Sequence, residues 1–121
     1  MPDLIIERYR APKHKGVIQN PDLSHKDDNP SCGDHIQIDL LIDNNRIVSN
    51  AMFSGQGCSV SIASADLLME QILGQSLERI GAITKEDFLS SIKLDIPIQR
   101  ESCAVLPYYI LVKCIKENSN K

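Results

Sequence analysis

The sequence predicts an α+β fold, and three observations carry that expectation. Ile36, Ile38, Leu40 and Ile42 alternate with Gln37, Asp39 and Leu41, the two-residue period of a half-buried strand. Asp43-Asn44-Asn45-Arg46 follows, and Asp and Asn tolerate the left-handed backbone of a hairpin turn, so a second strand is expected from about Ile47 to Phe53. From about Ser59 to Leu73 the apolar residues Ile62, Ala65, Leu68, Met69 and Ile72 recur at helical spacing, and Gly74 is placed to end that helix.

The remaining elements are read in chain order. Asp3 is a candidate cap for a short first helix whose apolar side is Leu4, Ile5, Ile6 and Tyr9, with Pro12 stopping it. Residues 11–29 show no sustained period and are expected to form a long mobile loop that leaves His14 and His25 in solvent. Thr84 and Asp87 have the spacing of a capping box ahead of Phe88, Leu89 and Ile92, and Pro97 is expected to close that helix. A last helix is expected over Ala104 to Lys116, built on Val105, Tyr108, Tyr109, Leu111, Val112 and Ile115, with Pro107 near its first turn. Glu117 to Lys121 reads as a frayed tail.

The length of 121 residues suits one hydrophobic core, and the chain is read as one compact domain over residues 1–121. A net charge of −3 with no run of Lys or Arg, and few aromatic residues, argues against nucleic acid or an anionic membrane as the partner. No stretch approaches the roughly 18 apolar residues of a membrane span, and the acidic Met1-Pro2-Asp3-Leu4 is unlike a secretory leader. A cytoplasmic protein is expected. In that reducing compartment Cys32, Cys58, Cys103 and Cys114 are not read as a disulfide framework, which leaves metal binding, sulfur chemistry or burial.

The stretch Gly55-Gln56-Gly57-Cys58-Ser59-Val60-Ser61 places Cys58 where a helix begins. Unpaired N–H groups and the positive end of the helix dipole favour a thiolate there, although a small buried hydrophobe beside a cap fits the same position. Cys32 precedes the first hairpin strand and Cys58 follows the second, so the two fall at one end of the hairpin. Cys103 falls just before or at the start of the last helix, whereas Cys114 lies within it and reads as packing. Asp34, two residues after Cys32, is either a turn residue or a ligand; His35 faces either the site or solvent. Three thiolates and a carboxylate suit tetrahedral zinc, and they equally supply the four terminal ligands of a [2Fe–2S] cluster. A hard oxygen ligand would make a cluster easier to release than four thiolates would.

Ser31-Cys32-Gly33-Asp34 before an alternating strand, Gly55-x-Gly57-Cys58-x-x-Ser61-x-Ala63-Ser64 opening a helix, and Cys103 at the last helix resemble the iron–sulfur cluster assembly scaffolds of the NifU N-domain, IscU and SufU type. Arg8-Tyr9-Arg10-Ala11-Pro12-Lys13-His14-Lys15-Gly16 is similar to that family's opening motif. The resemblance implies a SufE/NifU-like, three-stranded antiparallel sheet packed with helices and a metal site at one exposed end. It implies that Cys32, Cys58 and Cys103 accept sulfur from a cysteine desulfurase and, with Asp34, hold iron and a transient [2Fe–2S] cluster destined for acceptor proteins. The role implied is that of a scaffold rather than an enzyme.

Two departures qualify the pattern. Ser102 stands where IscU-type members have His before the last cysteine, and Arg100 stands where SufU-type members have Arg, without the SufU insertion. Arg100 is therefore a candidate neighbour of the site thiolates as well as an ordinary solvated cation. Ile96-Pro97-Ile98-Gln99-Arg100 keeps only one proline of the segment that IscU-type members offer to an Hsp70-type chaperone, which does not favour chaperone-assisted release. The alternative to a cluster scaffold is a zinc-dependent sulfur acceptor of SufU type that stimulates a desulfurase, with zinc expected in the isolated protein. A purely structural zinc module is the third reading.

Overall fold

The computed structural model describes residues 4–29, 33–92 and 96–119. In chain order these form α1 (Leu4–Arg10), β1 (Leu23–Asn29), β2 (Asp34–Ile42), β3 (Val48–Gln56), α2 (Ser59–Ile72), α3 (Leu77–Gly81), α4 (Lys85–Ile92), a 3-10 turn (Ile98–Arg100) and α5 (Glu101–Ser119). The sheet is antiparallel with β2 in the middle, in the order β1-β2-β3.

The expected hairpin is present, with Ile36 opposite Gly55, Ile38 opposite Phe53 and Leu40 opposite Ala51. Asp43 fixes its turn by accepting the N–H groups of Asn45 and Ile47 at 2.8 and 3.0 Å, while Arg46 takes the left-handed conformation at φ 63°. Ile36, Ile38, Leu40, Ala51 and Phe53 point from the sheet into a core completed by Leu68, Met69 and Ile72 of α2, Phe88 of α4, and Ile110, Leu111 and Cys114 of α5. The helices therefore cover one face of the sheet, as an alternating pattern requires.

Residues 11–29 are not one long loop. Leu23–Asn29 pairs with β2 from Leu23 opposite Leu40 to Asn29 opposite Asp34. Its sequence, LSHKDDN, hides the strand because only Leu23 is fully buried; the inward positions His25 and Asp27 are covered by polar partners on α5. His25 Nδ1 lies 2.7 Å from Glu117, and Lys113 Nζ lies 2.5 Å from Asp27. The segment before β1 is held as well: buried Asp39 accepts from Ser24 Oγ at 2.6 Å and from the Ile18 N–H at 3.2 Å.

Helix α2 stops one residue before Leu73, and Gly74 turns the chain away at φ 85°. The Thr84–Asp87 capping box forms in both directions, the Thr84 N–H donating to Asp87 Oδ2 at 3.1 Å and the Asp87 N–H to Thr84 Oγ1 at 3.0 Å. Short α3, capped by Ser76, has too few residues to show a helical period in the sequence. The last helix begins at Glu101, three residues earlier than its apolar pattern suggests, because the preceding 3-10 turn feeds straight into it. Pro107 is thus an interior residue, and Glu117 to Ser119 continue the helix instead of fraying. The expected cap Asp3 and the end of the tail, residues 120–121, lie outside the described residues.

Candidate metal centre

Cys58 is the N-cap of α2, with extended backbone angles (φ −72°, ψ 169°) and no side-chain capping bond to a backbone N–H of the first turn. Its sulfur is therefore not spent on capping. The two glycines before it are steric requirements. At Gly55, φ is +118° and a Cβ would stand 2.0 Å from the His35 carbonyl oxygen; at Gly57 a Cβ would stand 2.3 Å from Ser61 Oγ and 2.8 Å from Asp34 Oδ1. Bare backbone at Gly57 lets the end of β3 close over the Asp34 carboxylate.

Asp34 opens β2 and is only 1% exposed. Its Oδ1 accepts the Cys58 N–H at 2.8 Å, while its Oδ2 is buried and has no hydrogen-bond partner among the described residues. An unpaired buried carboxylate oxygen is costly, and a cation is what relieves it. Cys103 is the third residue of α5, not a residue ahead of it, and is 0% exposed against Val60 and Ala104, with Ile5, Leu89, Ile96 and Cys58 around them. One ligand atom each from Asp34, Cys58 and Cys103 lies within 4.8 Å of the others, and the three residues come from a strand start and two helix starts.

Two thiols and a carboxylate at that spacing fit a borderline-soft metal ion, with the Asp34 carboxylate as the hard donor. Cys58 is half-buried while Cys103 is sealed, so of these two sulfurs Cys58 is the one a reagent meets first. Ser61, fully buried, donates its hydroxyl to the Cys58 carbonyl at 3.1 Å and lies 3.8 Å from Cys58 Sγ.

Cys32 lies outside the described residues; Asn29, which precedes that gap, pairs with Asp34, the second residue after it, across β1 and β2 at the site end of the sheet. His35 is exposed and alternates away from Asp34, so the solvent-facing alternative holds for it. Arg100 is exposed on the turn ahead of α5, and Ser102 accepts from Asn29 Nδ2 at 3.2 Å, tying the start of α5 to the end of β1. Ile98, on the same turn, is 87% exposed. Cys114 lies in the core as expected, where burial pushes its thiol up to about 12. Among the described residues no helix is long and apolar enough to cross a membrane.

The fold and the cluster together define a small α+β domain with two cysteines and a carboxylate at metal-ligand spacing at one end of its sheet. The NifU-like N terminal domain family matches residues 2–121, and the chain belongs to that family. It is 33% identical over 110 residues to the iron-sulfur cluster assembly scaffold protein IscU of Haemophilus influenzae, covering 84% of this chain and 82% of that protein. It is 37% identical over 82 residues to the zinc-dependent sulfurtransferase SufU of Bacillus subtilis, a match that spans 68% of this chain and 54% of that protein. In structure it resembles a scaffold protein for the SUF system from Fervidobacterium islandicum, with a TM-score of 0.80 at 24% identity over 95% of this chain and 96% of that one. A NifU-like N-terminal protein from Brucella abortus has a TM-score of 0.78 at 15% identity, covering 98% and 93% of the two chains. The three-stranded antiparallel SufE/NifU-like architecture is therefore established.

Proposed function

We propose that this protein is a cytoplasmic scaffold, one domain over residues 1–121, that assembles an iron–sulfur cluster and passes it to acceptor proteins. The observation that carries the reading is the meeting of Asp34, Cys58 and Cys103 within 4.8 Å, with an Asp34 oxygen that has no partner among the described residues. Membership of the family and the likeness to IscU support it. Cys32 completes the ligand set by its place in the family motif, and iron and sulfide are cargo in this role, not a resident cofactor.

Sulfur arrives from a cysteine desulfurase by displacement. A scaffold thiolate attacks the outer sulfur of the donor's persulfide, a new sulfur–sulfur bond forms, the old one breaks, and its electron pair leaves with the donor cysteine as thiolate. Cys58 suits the attack, being half-exposed at the amino end of α2. Asp34 contributes a hard oxygen among soft sulfurs, the weakest terminal ligand for a cluster and the natural point of release.

The test is anaerobic incubation with iron, cysteine, a desulfurase and a thiol reductant, which supplies the two electrons that take each persulfide sulfur to sulfide, while visible absorption is followed. The expected result is a cluster spectrum on the wild type and a longer-lived one on Asp34→Ala. No spectrum at all, or a shorter life for the variant, would sink the reading.

A second reading, a zinc-dependent sulfur acceptor, is favoured by two observations: the likeness to SufU, and Ser102 where a histidine ligand would stand, with Arg100 nearby in sequence. Zinc would be held by the same thiols and supply a Lewis acid that keeps them ionised. Strong stimulation of desulfurase turnover by the zinc form, without any cluster, would favour it over the scaffold.

A further inference from the structure

We propose that Ser64 is a positioning residue for the metal centre: its hydroxyl fixes the start of α5 against α2 and so sets where the Cys103 sulfur stands relative to Cys58. The inference rests on the metal-binding reading above and goes beyond it to a residue that offers no ligand atom.

Ser64 is fully buried in the second turn of α2, six residues after Cys58. Its Oγ donates to the carbonyl oxygen of Ala104 at 2.5 Å. Ala104 is the neighbour of Cys103, and both are 0% exposed. One rigid helix thus carries a site sulfur at its cap and, about 9 Å further along its axis, the group that grips the residue beside the other sulfur.

Pro107, inside α5, has no N–H for the helical bond to the fourth residue before it. The bond from Ser64 reaches the first turn of α5 from the side and ties it to α2. Val60, one turn before Ser64 on α2, packs on Cys103 and Ala104. Small movements are costly to a metal site because ligand atoms must sit within a few tenths of an ångström of their bonded positions. An outer group that orients a ligand is typically worth 10- to 100-fold in metal affinity.

The experiment loads cobalt(II) in place of the native metal under anaerobic conditions. Sulfur-to-cobalt charge-transfer absorption then counts the bound thiolates, with Cys103→Ser as the calibration for losing one. Ser64→Ala is expected to fall to the intensity of Cys103→Ser and to bind cobalt about 10- to 100-fold more weakly, with Ser64→Thr restoring both. Wild-type intensity and affinity in a folded Ser64→Ala chain would overturn the inference. If the alanine chain does not fold, Ser64→Thr and Ser64→Val decide instead, since they share a shape and differ in the hydroxyl: unequal spectra support the role, equal spectra overturn it. A wild type that shows no charge-transfer band refutes the metal-binding reading itself, and the positioning role falls with it; the two failures are thus told apart.

Discussion

At the residue scale, Cys58 and Cys114 show how position alone separates an accessible sulfur from a sealed one. Cys58 caps a helix and is half-exposed; Cys114 sits in the core with its sulfur 4.0 Å from the Ile38 carbonyl. Burial first, then the charges of Glu117 and Asp39, raise the Cys114 thiol to about 12 from an ordinary value near 9.0. In the unfolded chain this thiol loses its proton first, so between about pH 9 and 12 the unfolded state binds fewer protons than the folded one. Stability therefore falls as pH rises through that window, by at most about 1.4 kcal/mol per pH unit from this group. Tyr108, raised by burial first and by Glu86 second, acts in the same direction above about pH 10. Urea unfolding between pH 8 and 11 should show that decline, and Cys114→Ala should flatten it even though the cavity it leaves lowers stability at pH 7. An unchanged slope would mean the thiol contributes nothing.

At the element scale, α1 is fastened to α2 by a buried ion pair. Arg8 donates through Nη1 to Asp66 at 2.9 Å and through Nη2 to Glu70 at 3.0 Å, and the other oxygen of Asp66 accepts the His14 N–H at 2.7 Å. Asp66 is fully buried, so Arg8→Met would leave its charge without its cation, a loss of about 3–5 kcal/mol by the usual cost of breaking a buried pair. Thermal or urea unfolding measures it, and a change below about 1 kcal/mol would put the pair in the class of surface contacts. Ile5 rides on the same helix and packs on the Cys103 cluster, so the pair also steadies one wall of the site. Nothing in the sequence announces it. Arg8 and Asp66 are 58 residues apart, and each reads locally as a solvated charge.

At the scale of the whole molecule, what was legible in the sequence is what obeys a local period or a local steric rule. The β2–β3 hairpin, α2 and α4 follow from alternation, helical spacing and a capping box. The Cys58 site follows from glycines that nothing larger can replace. Strand β1 was illegible because its inward side is satisfied by charges on α5 instead of by apolar residues, and the early start of α5 because Glu101 and Ser102 carry no apolar signal. Asp34 was ambiguous by composition: a turn aspartate and a ligand look alike until one oxygen is seen to lack a partner among the described residues. Ser64 was visible only as a letter of a motif, since its acceptor lies 40 residues away.

The outer rim of β3 is closed at both ends by pieces of chain that are not strands. Val48 exchanges backbone bonds with Gly74 and Gln75 at 2.9 Å each, and Phe53 does the same with His14 and Gly16 at 3.0 and 2.7 Å. An uncovered rim would be a template for a second chain to join by hydrogen bonding, the route to fibres and insoluble protein. Gly16→Pro removes one of those four donors, and it is expected to raise light scattering in concentrated solution; flat scattering would show that the rim is guarded by other means. The proposed function would have other macromolecules press against one tip of this sheet, and with its long side closed, such engagement at the cysteine end does not become polymerisation along the flank.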